Sequence, residues 1–480
     1  MEKLQNFING EYCAPINGMY IDNYDPATGN VYSLIPNSDE KDVALAVESA
    51  EKAFPIWSSM SNEERSEILI KLSDGIKNRM DEFVAAESRD NGKPLSLAAH
   101  VDIPRAISNF HFFATAITHF ASESHYMVGE GVNYTLRKPI GIVGCISPWN
   151  LPLYLFSWKI APALAAGNCV IAKPSEITPY TAYLLGKVAQ EAGMPNGVLT
   201  ILHGLGSSVG DAIVKHPKIK AISFTGGTKT GEYIAKTAAP MFKKLSLELG
   251  GKNPNIIFAD CDFDEMLKTT LRSSFANQGQ ICLCGSRIFV ERPLYEKFKT
   301  AFVEKVAKTT VSNPTDPKAI LGAVVSQPHM EKVLSYVQLA KEEGGTVLTG
   351  GEQVHLDAPY NNGYYIRPTV IEGLAYDCRT NQEEIFGPVV TITPFDSEEE
   401  VLMMANSTQY GLAATLWTSD LKRAHRMADK IDAGIVWINA WLVRDLRTPF
   451  GGMKASGVGR EGGEEALRFF TEPKNVYISY

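Results

Sequence analysis

One stretch of the chain could carry out thiol chemistry: Phe275-Ala276-Asn277-Gln278-Gly279-Gln280-Ile281-Cys282-Leu283-Cys284-Gly285-Ser286-Arg287, just ahead of the strand-like run Ile288-Phe289-Val290. Loops held by a rigid scaffold are where reacting groups commonly sit. A cysteine in such a loop is a nucleophile when it is held as thiolate and open to substrate. Elsewhere a free cysteine is usually a small buried hydrophobe. Other groups in the chain favour the reactive reading. Leu245-Ser246-Leu247-Glu248-Leu249-Gly250-Gly251-Lys252 places one carboxylate in an apolar strand that ends at paired glycines. If that strand is buried and not on the surface, the apolar setting raises the pKa of Glu248 and suits it to act as a general base.

Two further features could hold a nucleotide. Lys173-Pro174-Ser175-Glu176 follows an apolar strand, at the end where open α/β sheets bind ligands. A carboxylate there accepts bonds from both hydroxyls of an adenosine ribose and repels a 2′-phosphate; the plainer reading is a helix start. Gly204-Leu205-Gly206-Ser207-Ser208-Val209-Gly210 and Phe224-Thr225-Gly226-Gly227-Thr228 both join a strand to a helix. The first misses the GxGxxG spacing by one residue. The second offers a helix N-terminus to an anion.

The elements that must position these groups follow from periodicity. The first forty residues read as short strands and turns, with Asn9-Gly10 a hairpin signal and Asp25-Pro26-Ala27-Thr28-Gly29 a second turn. Ser38-Asp39 caps a helix, and amphipathic helices follow over about 62–79, 80–89 and 101–121. The last puts Arg105 and Phe112 on one face; taken alone, Arg105 is a solvated helix charge. Residues 126–138 alternate as an exposed hairpin, which needs another surface to cover its edge. Strand-like runs at 140–146, 169–172, 199–202, 219–224 and 255–258 alternate with helices at 153–166, 179–192, 207–216 and 228–238. That alternation predicts a doubly wound nucleotide-binding sheet. Helices near 294–308, 329–343 and 398–407 predict a second α/β unit, and 474–480 a closing strand that can meet the hairpin.

Composition narrows the class. The chain has 480 residues, 45% hydrophobic and 21% charged, a globular balance with room for about three domains. A net charge of −8 gives no basic footprint for nucleic acid. The N-terminus lacks a signal-peptide core, and no apolar run reaches membrane-spanning length. Seven scattered cysteines without CxxC spacing predict neither a disulfide framework nor a zinc site. These features predict a cytoplasmic protein with reduced thiols.

With these pieces in order, the sequence resembles the NAD(P)-dependent aldehyde dehydrogenase superfamily from about Phe7 to Tyr480. Seven motifs carry the resemblance: Pro148-Trp149-Asn150, Lys173-Pro174-Ser175-Glu176, Phe224-Thr225-Gly226, Glu248-Leu249-Gly250-Gly251-Lys252, Asn277-Gln278-Gly279-Gln280-Ile281-Cys282, Glu384-Ile385-Phe386-Gly387-Pro388 and Pro449-Phe450-Gly451-Gly452. The resemblance implies a Rossmann-like NAD-binding domain (1–122 and 139–250), an α/β catalytic domain (251–450) and a small β oligomerisation arm (123–138 and 465–480). It implies Cys282, not Cys284, as nucleophile, Glu248 as general base, and Asn150 as the amide that joins the Cys282 N–H in an oxyanion hole. In the implied reaction a thiohemiacetal yields hydride to the nicotinamide, and water activated by Glu248 hydrolyses the thioester, without a metal.

For NAD, the resemblance assigns Lys173 and Glu176 to the adenosine ribose, Gly226 and Gly227 to the pyrophosphate, and Glu384, Phe386 and Trp149 to the nicotinamide side. Gly227 stands where Ser is more usual, so one side-chain bond to phosphate is missing. Within the superfamily the chain resembles the 2-aminomuconic and 2-hydroxymuconic semialdehyde dehydrogenases. That likeness rests on Asp102-Ile103-Pro104-Arg105, Pro148 to Leu155, and Trp441-Leu442-Val443-Arg444-Asp445-Leu446-Arg447. It implies a substrate tunnel lined by Arg105, Arg444, Leu151 and Trp158, with the guanidiniums clamping a far carboxylate. Arg447 is an alternative to Arg444. A homodimer or homotetramer is implied. The competing readings are a broad aliphatic, retinal or betaine-type aldehyde dehydrogenase, a non-catalytic structural homologue, and a thiol hydrolase; no Cys–His signature supports the last.

Overall fold

A computed structural model describes all 480 residues. Two open, twisted sheets organise the chain. In the first, five parallel strands lie in the spatial order Lys244–Glu248, Ile219–Thr225, Ile142–Ile146, Cys169–Lys173, Leu199–Ile201. The order reverses between Ile142–Ile146 and Ile219–Thr225, because the chain winds outward from the first of these in both directions. Such a switch point opens a crevice at the carboxyl ends of the strands. The N-terminal hairpin, Asn6–Ile8 and Glu11–Cys13, adds an antiparallel edge. Its turn residues Asn9 and Gly10 have φ of 53° and 78°, the left-handed pair that an Asn-Gly hairpin requires.

The second sheet has seven strands, in the order Thr346–Thr349, Thr369–Glu372, Val389–Phe395, Arg287–Glu291, Pro254–Ile257, Ala413–Trp417, Ile435–Ile438. The apolar run at 255–258 belongs here, as Pro254–Ile257, and not to the first sheet where its periodicity would put it. The chain leaves the first sheet after Glu248 through Gly250 and Gly251. Hydrophobic periodicity identifies a strand but not the sheet that receives it.

Helices cover both faces of the first sheet. Helix Glu40–Ser59 begins with a reciprocal cap between Asp39 and Asp42. The predicted helix over 101–121 is regular only from Ile103 to Ile117, after a wide turn at Ala98–Asp102. Likewise 207–216 divides into a wide turn, Gly206–Gly210, and a short helix, Asp211–Lys215. Helix Pro152–Ala165 is buried on every side, as expected of a segment apolar all round. It is fixed from helix Ile103–Ile117 by Asn109, whose Nδ2 donates to the Tyr154 carbonyl at 3.1 Å.

The hairpin Ser124–Met127/Gly131–Pro139 pairs with the terminal strand Thr471–Ser479 in a separate three-stranded sheet. Just before that strand, helix Gly463–Phe469 packs Ala466 and Leu467 into the core of the first sheet. No helix is long and apolar enough to cross a membrane.

Candidate active site

The crevice at the switch point is a cavity of about 760 Å³ lined by Trp149, Lys173, Glu176, Gly206, Gly226 and Gly227, among others. Both glycine stretches that compete in the sequence therefore border one space. A smaller cavity of about 260 Å³ contains Asn150, Cys282, His329, Glu384 and Phe386. Pro148, Trp149, Thr225, Gly226 and Gly227 line both, so a single cleft runs from the Lys173–Glu176 end to the thiol.

At the outer end Lys173 Nζ lies 2.8 Å from Glu176 Oε2, and Glu176 Oε1 accepts the Gly206 N–H at 3.4 Å. Burial alone would raise the Glu176 pKa, but the Lys173 ammonium and these bonds outweigh it and hold the carboxyl below its usual range. The next helix starts at Tyr180, capped at Pro179, so Glu176 is not a helix cap and is free to serve the cavity. Gly226 donates its N–H to the Glu248 carbonyl at 3.0 Å. It therefore contributes space, not a donor, and anion binding falls to the first-turn N–H groups of helix Thr228–Ala238. A side chain at Gly227 would meet nothing. An ionised carboxylate at the ribose end, a bare helix N-terminus in the middle and an aromatic floor at the thiol end fit a dinucleotide without a 2′-phosphate.

At the inner end Trp149 packs edge-on against Phe386, with ring centres 5.3 Å apart. His329 Nε2 bonds to the Phe386 carbonyl at 2.7 Å, and burial pushes the His329 pKa down to about 4. Phe386 has φ of 64°, a left-handed conformation that needs such outside support. Glu384 Oε1 accepts the Gly251 N–H at 2.8 Å.

The Cys282 loop is held by neutral amides. Asn277 and Gln278 both adopt left-handed backbone, with φ of 52° and 58°. Asn150 Nδ2 donates to the Gln280 carbonyl at 2.9 Å, and Asn277 Nδ2 donates to the Asn150 carbonyl at 2.8 Å. Asn253 Nδ2 donates to the carbonyls of Cys282 and Cys284 at 2.7 and 2.9 Å. A side chain at Gly251 would lie 2.8 Å from the Cys282 carbonyl oxygen, so only glycine lets the two backbones meet. Cys282 is half-buried, whereas Cys284 is buried and its thiol is pushed up to about 12 by that burial. Of the two, Cys282 is the one that borders the cleft.

Glu248 is 3% exposed, not a surface strand residue, and its Oε1 has no hydrogen-bond partner. Burial, followed by the Glu461 carboxylate, raises its pKa well above the usual value. Glu461 Oε1 is 2.8 Å from Lys159 Nζ and 3.3 Å from Ser223 Oγ. Burial, then Glu384 and Glu248, also raises the Cys282 thiol, with Arg444 acting in the opposite direction.

The arginines lie around Tyr154. Arg444 Nη1 donates to the Tyr154 hydroxyl at 3.0 Å, and its guanidinium sits 3.9 Å from the Phe450 ring centre and 4.9 Å from that of Trp158. Arg105 lies 5.6 Å from the Tyr154 ring centre. Leu151, Tyr154 and Phe450 share one apolar cluster, against which Cys282 packs. Arg447, by contrast, is exposed and forks onto Asp445 at 2.6 Å. Tyr154, Lys159, Ser223, His329 and Glu461 also belong to the site; of these only Tyr154 stands in one of the sequence motifs, Pro148 to Leu155.

These neighbours can together take up a carbonyl compound: a thiol at its carbon, an amide near its oxygen, and a carboxylate of raised pKa to activate water. Residues 14–476 match the aldehyde dehydrogenase family. The chain is 53% identical to the 2-aminomuconic semialdehyde dehydrogenase of Mus musculus, over 99% of this chain and 98% of the relative. It is 47% identical to the 2-hydroxymuconic semialdehyde dehydrogenase of a Pseudomonas species, over 100% of both chains. The NAD+ complex of an aldehyde dehydrogenase from Bacillus cereus superimposes with a TM-score of 0.97 at 40% identity, covering 100% of this chain and 97% of that one. The chain belongs to the aldehyde dehydrogenase family.

Proposed function

We propose that this protein oxidises a carboxylated semialdehyde of the muconic type to its acid, with NAD as the oxidant. Cys282 gives up its proton to water and, as thiolate, attacks the aldehyde carbon, while Asn150 and the Cys282 N–H receive the oxygen as it gains charge. Bound NAD supplies the acceptor for the hydride that leaves the thiohemiacetal. Lys173, Glu176 and the helix N-terminus at Gly227 would hold its adenosine half, and Glu384, Phe386 and Trp149 its nicotinamide half. Glu248 then takes a proton from the water that opens the thioester. Its raised pKa makes it a stronger base than an exposed glutamate.

The substrate class is carried by one observation: Arg105 and Arg444 both lie against Tyr154, a side chain of the apolar cluster on which Cys282 packs, and neither pairs with a carboxylate of the protein. A guanidinium whose fork is unmatched, half-buried beside a reactive thiol, is a receptor for a carboxylate on the guest. The muconic semialdehyde dehydrogenases among its relatives act on guests of this kind. A cationic guest such as a betaine aldehyde would be repelled. The test is a panel of aldehydes run with NAD and with NADP, following absorbance of the reduced nicotinamide. Equal kcat/KM for a carboxylated semialdehyde and its uncharged analogue would refute the substrate class, and full activity of Cys282→Ser would refute the mechanism.

The arm sheet exposes Tyr126, Tyr477 and Ile478 along strands with open edges and Val128 in the hairpin turn, a surface that calls for cover. A homodimer or homotetramer, to be checked by light scattering, is the assembly that covers it. The need for a reduced Cys282 fits a cytoplasmic setting.

A further inference from the structure

Behind Asn150, and outside both cavities, lies a group of charges that the mechanism above does not use. The side chains of Glu87, Lys93 and Asp102 are 0% exposed. Lys93 Nζ lies 3.0 Å from Asp102 Oδ2 and 3.7 Å from Glu87 Oε1, and donates to the backbone carbonyl of Asn150 at 3.2 Å. Glu87 Oε2 accepts the N–H of Leu153 at 3.3 Å, in the first turn of the helix that carries Tyr154 and Trp158. Asp102 closes the wide turn from which helix Ile103–Ile117, bearing Arg105, departs. Removing three charged groups from water is costly, and apolar side chains of similar volume would pack as well or better. A triad of this kind therefore serves something other than stability.

What it touches identifies that role. Asn91 Nδ2 donates to the Trp149 carbonyl at 3.0 Å, Asn277 Nδ2 reaches the Asn150 carbonyl from the thiol loop, and Lys93 reaches the same oxygen from the core. Among these donors only the ammonium is charged, and it reaches the Asn150 oxygen at 3.2 Å, beside the Asn277 amide at 2.8 Å and the Asn91 amide at 3.3 Å. We propose that Lys93 is a positioning residue for the reaction: its ammonium, balanced by Asp102, fixes the Asn150 backbone so that the side-chain amide is aimed at the oxygen of the guest. The proposal rests on the reading of Asn150 as an oxyanion donor. No bond forms or breaks at Lys93, and it reaches neither guest nor cofactor.

A double-mutant cycle tests it. Lys93→Met/Asp102→Asn removes the pair together; burial already raises the Glu87 pKa to about 8, so with the ammonium gone Glu87 holds its proton and no buried charge is left unmatched. Asn150→Ala removes the amide. In the native background the pair change should lower kcat by roughly 10- to 100-fold, the scale of a small misplacement of a catalytic group, while KM for NAD stays within about twofold. In the Asn150→Ala background the same change should cost less than about twofold, because two groups that act in series are not additive. The same factor lost in both backgrounds, or no loss in the native one, overturns the proposal. Lys93→Gln, which keeps an N–H for the carbonyl, carries the same cycle if the pair variant does not fold. An undiminished kcat in Asn150→Ala would remove the oxyanion reading itself, and the proposal with it.

Discussion

Replacing Arg444 by Met isolates the carboxylate clamp. The guanidinium lies over the rings of Phe450 and Trp158, and an unbranched thioether fills that slot without opening a void. One of its five N–H groups is spent on the Tyr154 hydroxyl, leaving a fork for a carboxylate. A charged hydrogen bond contributes about 1.5–3 kcal/mol, which is about 10- to 100-fold in kcat/KM. Solvent reaches the half-buried site and screens part of this, so the expected loss is nearer the lower figure. Arg444 also lowers the pKa of Cys282 and Glu248, so its removal slows every aldehyde to some extent. The informative quantity is therefore a ratio. Initial rates are measured for a carboxylated semialdehyde and for an uncharged aldehyde of similar length, and kcat/KM of one is divided by that of the other. Arg444→Met should lower that ratio by about tenfold, mainly through KM, whereas Arg447→Met should leave it unchanged. If Arg444→Met slowed both guests equally, the guanidinium would be an electrostatic aid to the thiol and not a receptor.

Glu248 works only as carboxylate, so activity rises with pH through its raised pKa. Glu461→Gln removes a negative charge that raises this pKa and should move the acid limb of kcat to lower pH. Lys159→Met, which removes a lowering influence, should move it to higher pH; an unmoved limb in both pH profiles would refute the coupling. Glu176→Gln should raise KM for NAD by about tenfold, the loss of one charged contact, and narrow the preference over NADP, as read in paired cofactor titrations. Because burial and nearby carboxylates raise the Cys282 thiol, alkylation of the free protein by iodoacetamide should be slow near neutrality and still be accelerating above the ordinary thiol pKa. Cys284→Ser should keep kcat within about twofold of the native value, while Cys282→Ser abolishes turnover.

Much of this architecture is legible in the sequence because local rules decide it. The cap at Asp39, the hairpin at Asn9-Gly10 and the helix over Thr228–Ala238 each follow from residues within a few positions. The strand at Pro254–Ile257 is recognisable as a strand, yet its sheet is decided by where the chain crosses after Gly251, a non-local choice. The same limit applies within the site. Cys282, Glu248 and Glu176 stand in motifs whose chemistry can be read from their neighbours. Glu461, Lys159 and Ser223 come from three distant segments and have meaning only once packing brings them within 3.3 Å. Arg444 and Arg447 are indistinguishable by type. The structure separates them because Asp445 turns Arg447 outward into an exposed pair, leaving Arg444 to the aromatic slot.

The thiol loop is held by amides, from Asn150 at the end of the first sheet and from Asn253 and Asn277 on its own side, and this choice has a chemical consequence. Asn150, Asn253 and Asn277 donate to carbonyls of the thiol loop at 2.7–3.3 Å. Neutral donors cost less to bury than charges, and the one guanidinium that acts on both reacting groups, Arg444, does not offset their burial. Burial raises the pKa of both Cys282 and Glu248, and the Glu248 carboxylate further disfavours the thiolate. A protonated thiol is a poor nucleophile and a poor target for oxidants, so the resting site protects its sulfur. The anion that forms on attack lies on the oxygen of the guest, where Asn150 and the Cys282 N–H stand ready. The fold thus places its preorganised dipoles where charge arises in the transition state and withholds them from the resting thiol.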